Sequence, residues 1–256
     1  MSGKFNLQSR LKAGAIHLTL SAAIAAIVAA VVFFVWYPVP YDKICGGLNL
    51  LVLVCSVDIV LGPLLTFVVF DTSKKRAVLA RDLFVIGFVQ LAALTYGAHT
   101  VYIARPVALV FEGGQRFRVV TNIEVQVDEL PNALPQFRDL SMTGPVLMST
   151  RQPTEAERYN AIMGALSGAD VGTRPSFWVP FEGQEKEVLK AAKPLDRLLK
   201  QYPTSTKLID DMISQAGLTR ETTRFMPLVS RRLVWTVLVN GETGKIIGFL
   251  PLEGYF

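Results

Sequence analysis

In the first part of the chain, the residue whose chemistry most suggests a functional role is Asp58, which lies near the middle of a long apolar run. A carboxyl group at the depth of a membrane core is costly, and it marks an internal hydrogen bond, a partner contact or a transport pathway. We favour an internal hydrogen bond, with Thr95 or Tyr96 as the donor because they fall at a similar depth. A contact with a partner's membrane helix ranks second. Transport ranks last, because the sequence offers neither an inverted repeat nor a second intramembrane carboxylate.

From Arg105 onward the sequence contains no histidine and no cysteine. Zinc sites, Ser-His-Asp triads and thiol nucleophiles therefore lack their usual ligands and bases in that part of the chain. Glu155 and Glu157 could form a carboxylate pair, but positions two apart on a helix point to different faces. We therefore expect no enzymatic activity, no metal site and no cofactor.

Arg231 and Arg232 form the local pair that we single out as a candidate binding surface, beside the apolar residues 233–235. The alternative is ordinary surface charge at the start of a strand. Residues 241–245 resemble a phosphate loop in composition, but the spacing is too short and they join two predicted strands. That segment therefore predicts a hairpin turn.

These residues belong to two parts of the chain, residues 1–104 and 105–256, which differ strongly in composition. The 256 residues are 51% hydrophobic and 18% charged, whereas soluble domains average about 25% charged residues. The first 104 residues hold 8 of the 26 basic and 4 of the 21 acidic residues. The net charge of +5 therefore comes mostly from the apolar half, which argues against a nucleic-acid-binding face on the second half.

Long apolar runs at residues 13–37, 44–70 and 83–104 predict a bundle of three transmembrane helices. Each run is long enough, as a helix, to cross a hydrocarbon core of roughly 30 Å. A cleaved signal peptide is the alternative for the first run. That run is longer than usual and ends in aromatic residues rather than at a small-residue cleavage site, which favours an uncleaved anchor.

Lysine and arginine in the flanking segments predict the orientation, because cytoplasmic loops are enriched in them. Three precede the first run, one separates the first two runs, and four separate the last two: Lys4, Arg10 and Lys12; Lys43; Lys74, Lys75, Arg76 and Arg81. Residues 1–12 and the second loop are therefore predicted to be cytoplasmic. Three crossings then place residues 105–256 outside the cytoplasm, which in a Gram-negative cell means the periplasm.

The pattern after residue 105 predicts an α+β domain, with strands first, helices in the middle and strands last. Five strands are predicted, of which the first two form a hairpin: 107–112, 116–121, 225–230, 233–239 and 245–250. Helices are predicted at 154–166, 185–201 with a break at Pro194, and 206–216.

Several short motifs occur in a characteristic order along the second and third runs and the start of the domain. They are Asp58-x-x-x-Gly62-Pro63-Leu64-Leu65-Thr66, Phe70-Asp71 with Lys74-Lys75, Gln90-Leu91, Tyr96-Gly97, Arg105-Pro106-Val107 with Phe111, and Arg116-Phe117. Together they resemble the type IV pilin accessory proteins of the TfpX/TfpZ kind, most densely from about residue 58 to 120.

This resemblance implies an inner-membrane accessory protein that influences how much pilus reaches the cell surface, with no established enzymatic activity. We therefore expect a chaperone-like protein that lies in the lipid bilayer, binds the type IV major pilin and works beside the pilus assembly machinery. The alternative is a membrane-anchored enzyme subunit that assists pilin modification such as glycosylation. Residues that match the family pattern are candidate contacts: Asp58, Gly62, Pro63, Gln90, Arg105 and Pro106.

Overall fold

The computed structural model describes residues 6–256, except for the side chains of Leu48, Leu50 and Leu53. The chain divides into two compact units. The helical unit comprises the residues up to Asp42 together with Gly46–Ala104, and the sheet domain comprises Lys43–Cys45 together with Arg105–Phe256. The predicted cytoplasmic segment 1–12 therefore lies partly outside the described residues.

In the helical unit, α3 packs along both α1 and α4. The α-helices that begin in this unit are α1 (Leu7–Val31), α2 (Tyr41–Ile44), α3 (Gly47–Val69) and α4 (Arg76–Ile103). A π-helical turn at Val32–Trp36 extends α1. The Asn6 side chain accepts a hydrogen bond from the Ser9 amide and so caps the start of α1. The helices run antiparallel in chain order, since Gly14 packs near Phe67 and Gly97 near Val54.

Two helices, not three, are long and apolar enough to cross a membrane in the part of the chain that the structure describes: Leu7–Trp36 and Arg76–Ile103. The corresponding apolar stretch of α3 is shorter, Val54–Val69. The predicted number of membrane-length helices is therefore corrected from three to two.

The sheet domain is built on an eight-stranded mixed sheet with the order β4-β3-β1-β2-β6-β7-β8, and β5 pairs with β6. Its strands are β1 (Pro106–Glu112), β2 (Arg116–Thr121), β3 (Val146–Thr150), β4 (Trp178–Pro180), β5 (Lys193–Pro194), β6 (Thr223–Val229), β7 (Val234–Asn240) and β8 (Ile246–Leu250). The β1–β3 and β2–β6 pairs are parallel, whereas the other pairs are antiparallel. A mixed sheet with helices between its strands agrees with the predicted α+β class.

Four helices accompany the sheet: α5 (Glu155–Leu166), α6 (Glu185–Ala191), α7 (Leu195–Gln201) and α8 (Thr206–Gln215). Helices α7 and α8 bury Leu198 and Ile209 against Phe225 of β6 and Leu238 of β7. A second core surrounds β1, which is buried along its whole length. Burial of each large apolar side chain contributes about 1.5–3 kcal/mol.

Local signals with a defined backbone chemistry predicted their elements correctly. Thr154 and Glu157 form the expected capping box at the start of α5. Pro194 separates α6 from α7, as expected of a residue that cannot donate within a helix. In the turn after β7, the Asn240 side chain accepts from the amides of residues 242 and 243. The sequence did not predict β3, β4 and β5, which have five residues or fewer.

Candidate functional site

The long helices of the helical unit meet around Gly62 and Pro63 of α3. A Cβ atom on Gly62 would lie 1.9 Å from the Gln90 amide nitrogen of α4, and one on Gly14 of α1 would lie 3.4 Å from the Pro63 carbonyl oxygen. The Gln90 amide donates to the main-chain carbonyl of Asp58 at 3.2 Å. Small residues thus allow the helices to approach closely, and the structure brings together four of the predicted site residues here.

Asp58 lies at the wall of a pocket of about 540 Å³, lined mainly by apolar side chains from α1, α3 and α4. The residue is 8% exposed. Its Oδ1 atom has no hydrogen-bond partner in the part of the chain that the structure describes. His17 and Thr66 also line the pocket and are 2.6 Å apart, from Nδ1 to Oγ1. The pocket is therefore apolar with a few polar atoms along one part of its wall.

The proposed donors to Asp58 were wrong. The Thr95 hydroxyl donates to the Leu91 carbonyl of its own helix at 2.7 Å, and Tyr96 is 76% exposed. Neither residue lines the pocket, which α4 instead approaches with Gln90. Thr95 is five positions beyond Gln90, and so points about 140° away around the helix. A donor to Asp58 must lie on the face of α4 that lines the pocket, as well as at a similar position along the helix.

The three arginines that the sequence reading selected in the sheet domain have different environments. Arg105 is 2% exposed, and its guanidinium donates to the Ser141 carbonyl and the Met142 sulfur, both at 3.4 Å. It ties the start of β1 to the chain at 141–142, so its charge is not presented at the surface. Arg231 and Arg232 are exposed in the turn between β6 and β7, where a partner can reach them.

A buried charge cluster in the sheet domain escaped the sequence reading. Glu112 is 4% exposed and accepts hydrogen bonds from Arg116 at 2.7 Å, Arg118 at 3.1 Å and the Gly172 amide at 2.9 Å. Both arginines also bind Asp170. Burial alone would raise the pKa of Glu112, but the neighbouring arginines Arg118 and Arg116 hold it below its usual value.

This cluster is suited to holding the domain together rather than to proton transfer. Two carboxylates face two guanidinium groups, so the charges balance and Glu112 stays ionised. One predicted hairpin carries opposite charges at Glu112, Arg116 and Arg118, and this pattern could have indicated part of the charge cluster. Asp170 lies 52 positions beyond Arg118 along the chain, so nothing local indicated its participation.

Another polar cavity of the sheet domain combines charges of both signs. A cavity of about 520 Å³ is lined by Glu182 and Glu187 together with Arg151. Arg151 is already paired with Glu157 at 2.7 Å. Across residues 6–256 the structure contains no group of three or more His, Cys, Asp or Glu side chains that could hold a metal ion.

Comparisons with known proteins consistently return proteins of fimbrial assembly. The family described as Fimbrial assembly protein FimB matches residues 5–46. The chain is 38% identical to the fimbrial assembly protein of serogroup I of Dichelobacter nodosus over 232 residues, which cover 90% of each chain. The corresponding protein of serogroup E1 is 37% identical over 232 residues, again 90% of each chain. No solved structure matches the chain.

Proposed function

Because the chain belongs to the fimbrial assembly protein family, we propose that it is an inner-membrane accessory protein that binds the type IV pilin subunit and promotes its assembly into pili. The observation that carries this proposal is its likeness to fimbrial assembly proteins over nearly its whole length. We also propose, more specifically, that the chain belongs to the TfpX/TfpZ group, which the motifs from Asp58 to Phe117 resemble.

The two-unit construction supports a chaperone-like role. The resemblance implies a pilin partner that occupies both the membrane and the periplasm. The helical unit exposes apolar side chains, and β1 begins three residues after α4 ends at Ile103. A pilin subunit with a membrane helix and a folded head can therefore contact both units of one chain. Such a role needs binding surfaces and no catalysis, so we propose that the protein is not an enzyme.

We further propose that the helical unit lies in the inner membrane with its N-terminus in the cytoplasm. Charged pairs gather at one end of the unit, where Arg10 binds Asp71 at 3.2 Å and Lys74 binds Asp82 at 2.9 Å. Trp36 stacks edge-on against Tyr102 at the other end. This distribution supports a cytoplasmic basic end and an aromatic belt at the opposite interface.

In this proposal α3, which extends over Gly47–Val69 and packs along α1 and α4, crosses the membrane together with them. An odd number of crossings places the sheet domain in the periplasm, whereas two crossings would return it to the cytoplasm. We expect alkaline phosphatase, which is active only in the periplasm, to be active when fused after Phe256 and inactive when fused after Ser73. Activity after Ser73 with none after Phe256 would contradict the proposed topology.

Deletion of the gene tests the function. We expect less pilin in the fraction sheared from the cell surface, with little change in total pilin, because the subunit is made but assembled poorly. Immunoblots of sheared and whole-cell fractions measure both quantities, and expression of the intact chain should restore the surface fraction. The intact mass of pilin serves as the control. A changed pilin mass with normal surface pili would instead support the alternative of an enzyme subunit that assists glycosylation.

A further inference from the structure

We propose that the pocket beside Asp58 is a docking groove for the membrane helix of the pilin subunit, and that this helix donates a hydrogen bond to the Asp58 carboxylate. The inference rests on the proposed function, because it names the surface that the pilin subunit occupies. In chemical terms, the ligand is a single apolar helix that carries one hydrogen-bond donor on the face that enters the groove.

The first support is the unsatisfied carboxyl group. Asp58 is more than nine-tenths buried and lines the groove, yet its Oδ1 atom has no hydrogen-bond partner within the described part of the chain. The nearby Gln90 amide donates to the main-chain carbonyl of Asp58. A buried acceptor without a partner is unfavourable, because it has given up its hydrogen bonds to other molecules and gained none in return. A donor from outside the chain would remove that cost.

The second support is the position of one glycine. A Cβ atom added to Gly14, Gly62 or Gly97 would meet another helix of this chain, so internal packing explains each of those glycines. Gly87 of α4 also lies within a helix, but a Cβ atom there would meet no atom within 4 Å. Gly87 lines the same groove as Asp58. A glycine without an internal packing role leaves space for the close approach of another helix.

The chemistry of the groove distinguishes a helix from a lipid chain. An acyl chain would fill the apolar part of the groove but would carry no donor for Asp58. A membrane helix with serine, threonine, asparagine or lysine at this depth satisfies the carboxyl group and presents small and apolar side chains to Gly87. Hydrogen bonds of this kind contribute to helix association in membranes. The groove therefore favours a helix as its occupant.

Site-specific photocrosslinking in intact membranes tests the position of the partner. Leu91 lines the groove, whereas Val89 of the same helix lies about 200° away and does not line it. The two side chains have similar exposure, 63% and 58%, which makes Val89 a matched control. We expect a photoreactive residue at Leu91 to capture the membrane segment of pilin, identified by mass spectrometry, and one at Val89 to capture it much less. Equal capture from both positions, or capture of lipid alone from Leu91, would overturn the proposal.

Substitutions in the groove test its chemistry. Gly87→Leu adds a side chain to the groove at a position where a Cβ atom meets no other atom within 4 Å, and we expect the Leu91 crosslink to fall about tenfold, which corresponds to about 1.4 kcal/mol. Ala93→Leu adds similar bulk to an exposed position outside the groove, and it should leave the crosslink unchanged. Asp58→Leu should weaken the crosslink, whereas Asp58→Asn, which keeps an acceptor oxygen, should weaken it less.

The outcomes also separate this inference from the proposed function. If the Leu91 crosslink to pilin is as strong in the Gly87→Leu and Asp58→Leu variants as in the unaltered chain, the groove proposal fails and the proposed function stands. If pilin does not copurify with the unaltered chain and its surface amount is unaffected by deletion of the gene, the proposed function itself fails. Each variant must first reach the abundance of the unaltered chain in membranes, as measured by immunoblot.

Discussion

Glu112→Gln is expected to lower the free energy of unfolding of the sheet domain by about 3 kcal/mol, because the guanidinium groups of Arg116 and Arg118 then share a single carboxylate, that of Asp170. Arg118 is 8% exposed, so water does not replace the lost partner well. Urea unfolding of the full-length chain in detergent measures the change. Trp178 and Trp235 are buried in the sheet domain, and their fluorescence reports its unfolding.

The same carboxylate makes stability depend on pH. The pKa of Glu112 is lower in the folded chain than its usual value near 4.5, because Arg118 and Arg116 offset the effect of burial. Its stabilisation is therefore fully present above about pH 4.5 and is lost as the pH falls through the lowered value. The unaltered chain should lose stability on acidification in this window, and the Glu112→Gln variant should lose less.

Glu182→Gln is the matched control, since it makes the same chemical change at an exposed position. Its effect should stay within about 0.5 kcal/mol. Unfolding of the Glu112→Gln variant at the same urea concentration as the unaltered chain would show that the buried cluster contributes little to stability.

Gly97→Leu is expected to separate α3 from α4 and to destabilise the helical unit by about 3 kcal/mol or more. A Cβ atom at Gly97 would lie 2.5 Å from Val54 Cγ1 and 3.0 Å from Val54 Cβ. Because valine is stiff at χ1, the helices must move rather than the side chain. Heating of the purified chain in detergent, followed by size-exclusion chromatography of the remaining monodisperse protein, measures the loss.

Gly87→Leu provides the internal control in the same helix, because a Cβ atom there meets no other atom within 4 Å. We expect its thermal stability in detergent to match that of the unaltered chain. Equal stability of the two variants would contradict the close packing of α4 against α3 at Gly97.

Features governed by local chemistry were predictable from the sequence. The capping box at Thr154, the helix break at Pro194 and the turn after Asn240 each depend on residues a few positions apart. The mixed sheet was harder. Its central β1–β3 and β2–β6 pairs are parallel and join strands far apart in the chain. No hairpin motif in the sequence could therefore predict them.

The candidate site was only partly predictable for a similar reason. Asp58 was identifiable from its depth in an apolar run, and the motif resemblance selected Gly62, Pro63 and Gln90. The choice of Gln90 over Thr95 as a neighbour depends on how α4 is rotated against α3, which depth does not specify. The buried role of Arg105 likewise depends on a loop 36 residues away.

Copurification of pilin with this chain from detergent-solubilised membranes tests the central claim most directly. The chain carries an affinity tag after Phe256 and is expressed at its normal level, and a tagged inner-membrane protein unrelated to pili serves as the control. We expect the major pilin to copurify with the chain and to be absent from the control. Absence of pilin from a preparation of intact, folded chain would contradict the account, and recovery of a glycosyltransferase in its place would favour the enzyme-subunit alternative.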